Sequence, residues 1–218
     1  YAAWNDVLGR IDITQGATSE EVKTIFYTAM YHALMQPNTF SDVNGEYMTA
    51  DYSEGRVDDG HTHYTTFSLW DTFRAAHPLY TLIEPQRTAD FLSSMYSQYS
   101  HYGYLPIWQL WGQENYCMIG NHSVPVIADA ILKGLAKAPF IKEEQKDCNR
   151  IWEEMLYEAI RASLTTSHLN SPFEVWDEFG YMPENLQTQS VSITLELAYD
   201  DWCAAQVANY LGLAEDYD

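Results

Sequence analysis

Apolar residues recur at helical spacing in one segment after another, while the period-two alternation of strands is scarcely seen. Thr18-Ser19-Glu20-Glu21 reads as a capping box, Thr18 to Glu21. Behind it Val22, Ile25, Phe26, Ala29, Met30, Ala33 and Leu34 keep helical register until Pro37 stops the run. Thr66 to Ile83 predicts a helix bent at Pro78. Pro85 suits the first position of the next helix, which shows Leu92, Met95, Tyr96 and Tyr99 on one face and ends near Gly103. Ser123 is placed to cap a helix with Pro125 in its first turn, ending at Gly134. Cys148, Ile151, Trp152, Met155, Leu156, Ala159 and Ile160 mark another helix. Ser190 is placed to cap a last one through Trp202, closed by Gly212. The stretches between are long: Asn38 to Tyr64, with room for a short hairpin, aromatic Gly103 to Asn121, and Asn170 to Gln189. About six helices with few or no strands predict an all-α fold of stacked helical hairpins, a bundle or toroid. With no linker to divide them, residues 1–218 read as a single helical domain.

Charge narrows the function. The chain has 31 Asp+Glu against 11 Lys+Arg, a formal net charge of −20. Nucleic-acid binding is disfavoured, because it needs cations to neutralise phosphates, and so is docking on an anionic membrane. Aromatic residues reach 15%. Rings pack on the apolar faces of sugars and carboxylates accept from hydroxyls, so the composition suits neutral polyhydroxylated ligands as well as a Tyr-rich core. No apolar run is long enough to span a membrane. Tyr1-Ala2-Ala3-Trp4 carries neither an initiator Met nor a signal region, which predicts a processed or excised chain. Cys117, Cys148 and Cys203 form no CxxC and read as three buried free thiols.

The densest chemistry lies in Ser68-Leu69-Trp70-Asp71-Thr72-Phe73-Arg74. On one helix Asp71 and Arg74 would pair, with Trp70 in the core; the alternative is an Arg-held carboxylate orienting sugar hydroxyls beside a Trp70 platform. His61 and His63 share a face in an extended segment, but no third metal ligand has a fixed spacing. Asp42-Val43-Asn44-Gly45 lacks the alternation and closing Glu of a calcium loop and reads as a turn. Adjacent Asp200 and Asp201 point about 100° apart on a helix, so one would face a site and the other solvent. Asp177 and Glu178 are equally ambiguous, and Cys117 near His122 has no orienting third group for a thiol nucleophile.

Seven stretches together carry a resemblance. They are Phe26-Tyr27-Thr28-Ala29-Met30-Tyr31-His32, Phe40-Ser41-Asp42-Val43-Asn44-Gly45-Glu46-Tyr47, and the run from Thr65 through Ser68-Leu69-Trp70-Asp71-Thr72-Phe73-Arg74 to Leu79. Leu105-Pro106-Ile107-Trp108, Met118-Ile119-Gly120-Asn121-His122, Val126-Ile127-Ala128-Asp129-Ala130 and Leu195-Glu196-Leu197-Ala198-Tyr199-Asp200-Asp201-Trp202-Cys203 complete them. In this order they resemble glycoside hydrolase family 92, the bacterial α-mannosidases.

The resemblance implies part of an (α/α)6 toroid, preceded in the whole enzyme by a β-sandwich. It implies calcium-dependent, inverting, exo-acting hydrolysis of terminal α-linked mannose, with an α-1,2 preference, in the periplasm or outside the cell. Inversion needs an acid and a base carboxyl about 6.5–9.5 Å apart. The family motifs supplying acid, base and calcium ligands lie downstream of the Tyr199-to-Cys203 segment, so no catalytic residue and no metal ligand is expected in this chain, which reads as a fragment inactive by itself. Asp71 carries over as a hydroxyl ligand of the terminal mannose, with Trp70 and Arg74 as its supports. A half toroid would also expose apolar helix faces, which predicts self-association. The competing expectations are a non-catalytic carbohydrate-binding module and a helical scaffold.

Overall fold

The computed structural model describes residues 1–15, 19–57, 59–139 and 147–217. They form two compact units, Tyr1–Asn38 and Thr39–Asp218. The first unit holds α1 (Ala2–Leu8), which the sequence reading missed, and α2 (Glu20–Ala33). Trp4 packs on Tyr31 with ring centroids 4.7 Å apart. The side chain of Ser19 caps α2 by accepting from the Val22 N–H; Thr18, the expected cap, lies outside the described residues. Met30 is buried, but Val22 and Ile25 on the expected apolar face are exposed. Two helices cannot enclose each other, so part of each apolar stripe stays uncovered.

The second unit begins with short strands: β1 (Asn38–Thr39), β2 (Glu46–Met48), β3 (Glu54–Arg56), β4 (Tyr64–Thr65) and β5 (Phe67–Ser68). Helices α3 (Leu69–Thr72), α4 (Ala76–Ile83) and α5 (Pro85–Tyr102) follow, then β6 (Trp108–Leu110) and β7 (Gln113–Glu114). The chain continues through α6 (Ser123–Leu132), α7 (Cys148–Leu164), α8 (Phe173–Phe179), α9 (Ser190–Leu211) and α10 (Ala214–Tyr217). The fold is mainly helical, and among the described residues ten helices replace the expected six. Strands are more numerous than expected, but none exceeds three residues, too short for a period-two pattern.

β2 and β3 make the hairpin for which the first long loop had room, pairing Glu46 with Arg56 and Met48 with Glu54. It starts at the expected turn, where the Gly45 N–H donates to Asp42 O at 2.9 Å and Gly45 takes φ +84. α5 begins at Pro85 and ends at Gly103 in the left-handed conformation (φ +82), as its punctuation implies. Three other readings need correction. Residues 66–83 are not one bent helix: Thr66 takes φ +67, Phe67 and Ser68 pair with β6, and residues 73–75 turn between α3 and α4. Pro78 sits in the first turn of α4, where its missing N–H costs no helical bond. Ser123 and Ser190 are first helical residues rather than caps, and the Ser123 hydroxyl donates instead to Pro106 O. The Asn170–Gln189 link contains α8.

The core lies where α6 and α9 pack, with α5 and α7 against them. Leu92, Met95, Val124, Ile127, Ile131, Trp152, Leu156, Ile160 and Val207 are fully buried there. Each such aliphatic side chain contributes about 1.5–3 kcal/mol. A smaller cluster of Ile119, Met182, Ile193 and Leu197 packs against Trp70, Val175 and Trp176. Of the three free thiols, Cys148 and Cys203 are buried as expected, but Cys117 is exposed. Among the described residues no helix is long and apolar enough to cross a membrane.

Candidate functional site

A three-stranded sheet, β5–β6–β7, carries the Asp71 segment. Ser68 lies opposite Trp108 and Phe67 opposite Gln109. Behind this register the Thr65 hydroxyl donates to Gln109 Oε1 at 2.8 Å and accepts the Gly112 N–H at 2.9 Å. Glu114 holds the returning loop: its carboxylate accepts backbone N–H groups from Ile107, Trp108, Asn115 and Tyr116 at 2.8–3.0 Å. A hairpin thus pins the strand from which α3 starts.

Asp71 sits in the first turn of α3, exposed, and its carboxylate accepts from the Ser68 hydroxyl. The expected Asp71–Arg74 pair does not form. α3 ends at Thr72, so Arg74 lies beyond the helix and loses the three-residue spacing that would bring the two together. Arg74 donates instead to Trp70 O and to Glu196 Oε1, the latter at 3.3 Å. Its guanidinium lies 4.3 Å from the Phe73 ring centroid and 5.1 Å from that of Trp70. Trp70 is half-buried against the Ile119 cluster, which favours the packing role over a fully open sugar platform. Asp71 therefore keeps most of its lone pairs for outside donors, as a hydroxyl-accepting ligand group requires.

Sequence reasoning missed what stands behind α3. His122, 1% exposed, places Nδ1 3.0 Å from Asp200 Oδ1 and Nε2 2.9 Å from Glu196 Oε2, the latter outside hydrogen-bond alignment. Phe73 stacks on the His122 ring at 4.0 Å and 16°. The second oxygen of Asp200 accepts the Asn121 N–H at 2.6 Å. Burial pushes the Asp200 carboxyl up, opposed by its bond to His122, the imidazole charge and the Asn121 N–H. Glu196 and Asp200, four residues apart on α9, were legible as two carboxylates on one helical face that need a common partner. Phe73, Arg74, Pro78, Pro125, Asp129, Glu196 and Tyr199 line a cleft of about 470 Å³ beside this cluster. Burial holds the Tyr199 phenol up near 12, so it is a neutral hydroxyl there.

The other candidates are dispersed. Asp201 accepts from the Trp176 indole at 3.0 Å, and burial raises its carboxyl. Asp177 and Glu178 are exposed on α8. Cys117 does not pair with His122, whose two nitrogens face carboxylates. His61 Nδ1 stands 2.7 Å from Asp90 Oδ1, while His63 is buried and stacked on Tyr47 at 3.7 Å. Burial lowers His63 to about 4, leaving it neutral. Among the described residues no three His, Cys, Asp or Glu groups converge to hold a metal ion.

The glycosyl hydrolase family 92 catalytic domain profile matches residues 1–218. The structure of the family GH92 α-mannosidase BT3965 from Bacteroides thetaiotaomicron superposes with a TM-score of 0.87 at 38% identity, covering 99% of this chain and 27% of that one. The family GH92 inverting mannosidase BT2199 from Bacteroides thetaiotaomicron VPI-5482 gives 0.82 at 32% identity, covering 100% and 28%. An uncharacterized secreted glycosidase of Arthroderma benhamiae is 22% identical over 97% of this chain and 23% of its own length. The chain thus spans about a quarter of the length of these relatives. On the match over its whole length, the chain belongs to the glycosyl hydrolase family 92 catalytic domain.

Proposed function

We propose that the protein containing these residues hydrolyses terminal α-linked mannose, and that Asp71 accepts hydrogen bonds from hydroxyls of that sugar. The observation that carries the reading is the exposed Asp71 carboxylate, held by Ser68 and otherwise unengaged among the described residues, in a chain of this family. Its neighbours include an α-mannosidase, BT3965, at 38% identity, also solved in complex with mannoimidazole, and an inverting mannosidase, BT2199, at 32%. Inversion rests on the description of BT2199 as an inverting mannosidase. The α-1,2 preference, calcium dependence, toroidal domain and periplasmic or secreted location are parts of the same proposal. The secreted Arthroderma relative supports the last of these.

The acid and base carboxyls of the reaction are assigned to no residue described here, so these residues bind and orient substrate. Self-association of the 218-residue chain belongs to the proposal too, supported by exposed Val191, Leu195, Tyr199 and Trp202 on α9. The test is mannose release from α-1,2-linked mannobiose by the complete enzyme, with calcium and then with chelator. The anomer first released is read by NMR. Calcium-dependent release of inverted β-mannose is expected; no release from any α-mannoside would overturn the reading.

A further inference from the structure

The side chains behind α3 close into a ring of contacts. His122 stacks on Phe73 at 4.0 Å; Phe73 lies under the Arg74 guanidinium at 4.3 Å; Arg74 reaches Glu196 Oε1 at 3.3 Å; and Glu196 Oε2 returns to His122 Nε2 at 2.9 Å. Asp200, with no exposed surface, holds the far nitrogen of His122 and the backbone of Asn121. The second arm of Arg74 caps the carbonyl of Trp70, the residue next to Asp71. Two links, Phe73 to His122 and Arg74 to Glu196, join residues 70–74 to the loop before α6 and to α9; the bonds of Asp200 behind them are buried, and those of Arg74 are exposed.

α3 needs such a support. A four-residue helix has almost no stability of its own, because nucleation fixes several dihedrals for a single hydrogen bond. Asp71 would wander with it unless neighbours fixed both ends. Ser68 and the sheet hold the N-terminal end. The ring of contacts holds the C-terminal end. Glu196 has a particular place in it, since one carboxylate joins a cation on the α3 side to the imidazole of the loop.

We propose that Glu196, His122 and Asp200 are positioning residues that set the orientation of Asp71, without touching substrate themselves. This rests on the reading of Asp71 as a substrate ligand. The groups are mutually dependent, so removal of one should act on hydrolysis through Asp71 rather than on its own account.

The test is a double-mutant cycle in the complete enzyme on a small α-mannoside. Glu196→Gln keeps the shape and removes the charge, and should lower kcat/KM on the order of tenfold when Asp71 is present. In an Asp71→Asn background it should change kcat/KM by less than about twofold, because the group it positions is already gone. A general loss of folded enzyme would lower both backgrounds by one factor. If Glu196→Gln unfolds the enzyme at the assay temperature, Arg74→Lys passes through the same cycle. It keeps the charge but removes the planar group from the Phe73 face.

Equal factors in the two backgrounds, or no effect of Glu196→Gln beside an intact Asp71, would overturn the brace alone. An Asp71→Asn enzyme with unchanged kcat/KM would overturn the substrate role of Asp71, and with it the purpose of the brace.

Discussion

Asp71 lies exposed on a four-residue helix with a single hydroxyl on its carboxylate, whereas Asp200 lies in the middle of the 22-residue α9 with no surface exposed. Asp200 gives one oxygen to the His122 ring and the other to the Asn121 N–H. Buried completely, it has no surface to offer a ligand. Asp71, still solvated, can exchange water for a sugar hydroxyl at little structural cost. The contrast is between a buried carboxylate engaged by the fold and a solvated one that, in the proposed function, is free to meet substrate.

The largest effect that would break this contrast is on Asp200. Asp200→Ala leaves the buried His122 Nδ1 and the buried Asn121 N–H without partners, and should cost about 3–5 kcal/mol of stability in thermal or denaturant unfolding. A loss below about 1 kcal/mol would show that the His122 cluster is not a structural centre.

Acid sharpens the contrast next. Burial lowers His77 to about 3 and His63 to about 4, against an ordinary value of 6.5. Their folded values lie below the unfolded one, so the unfolded chain binds more protons between about 4 and 6.5. Their contribution is therefore full above pH 6.5 and is lost as pH falls through that window. The slope approaches about 1.4 kcal/mol per pH unit for each histidine. Melting temperatures measured from pH 7.5 down to 4.5 should fall steeply. His77→Gln should flatten the fall; an unchanged slope in that variant would contradict the burial argument.

The smallest effect is the most telling for the pair. Asp71→Ala should alter stability by no more than about 0.5 kcal/mol, as for other exposed positions without a structural partner of consequence. A loss comparable to that of Asp200→Ala would erase the distinction.

How much of this was legible in the sequence follows from which contacts are local. Pro85 and Gly103 bound α5 because the first lacks an N–H and the second accepts a left-handed conformation. The apolar row of α7 gave its inward face, Ile151 excepted, whereas on α9 Leu197 and Ala208 are buried but Ala198 and Trp202, on the expected row, are exposed. The Thr66–Ile83 stretch misled because its conformation is set from far away: Thr65 is bonded to Gln109, and Ser68 is paired with Trp108. Once that strand was read as helix, Asp71 and Arg74 were assigned to each other, and the actual partner, Glu196, lay 122 residues downstream. Asp71 itself stood out through its motif. The His122 cluster stayed hidden because spacing shows that Glu196 and Asp200 share a face, yet not which residue meets that face.

The measurement that bears most directly on the account is kcat/KM of the complete enzyme for an α-mannoside after Asp71→Asn, with its melting temperature recorded alongside. Hydrogen bonds to a charged acceptor contribute about 1.5–3 kcal/mol, so kcat/KM should fall more than about tenfold. The melting temperature should stay within about 2 °C of the parent. A rate within a few-fold of the parent, from an enzyme equally stable, would contradict the placement of substrate at Asp71.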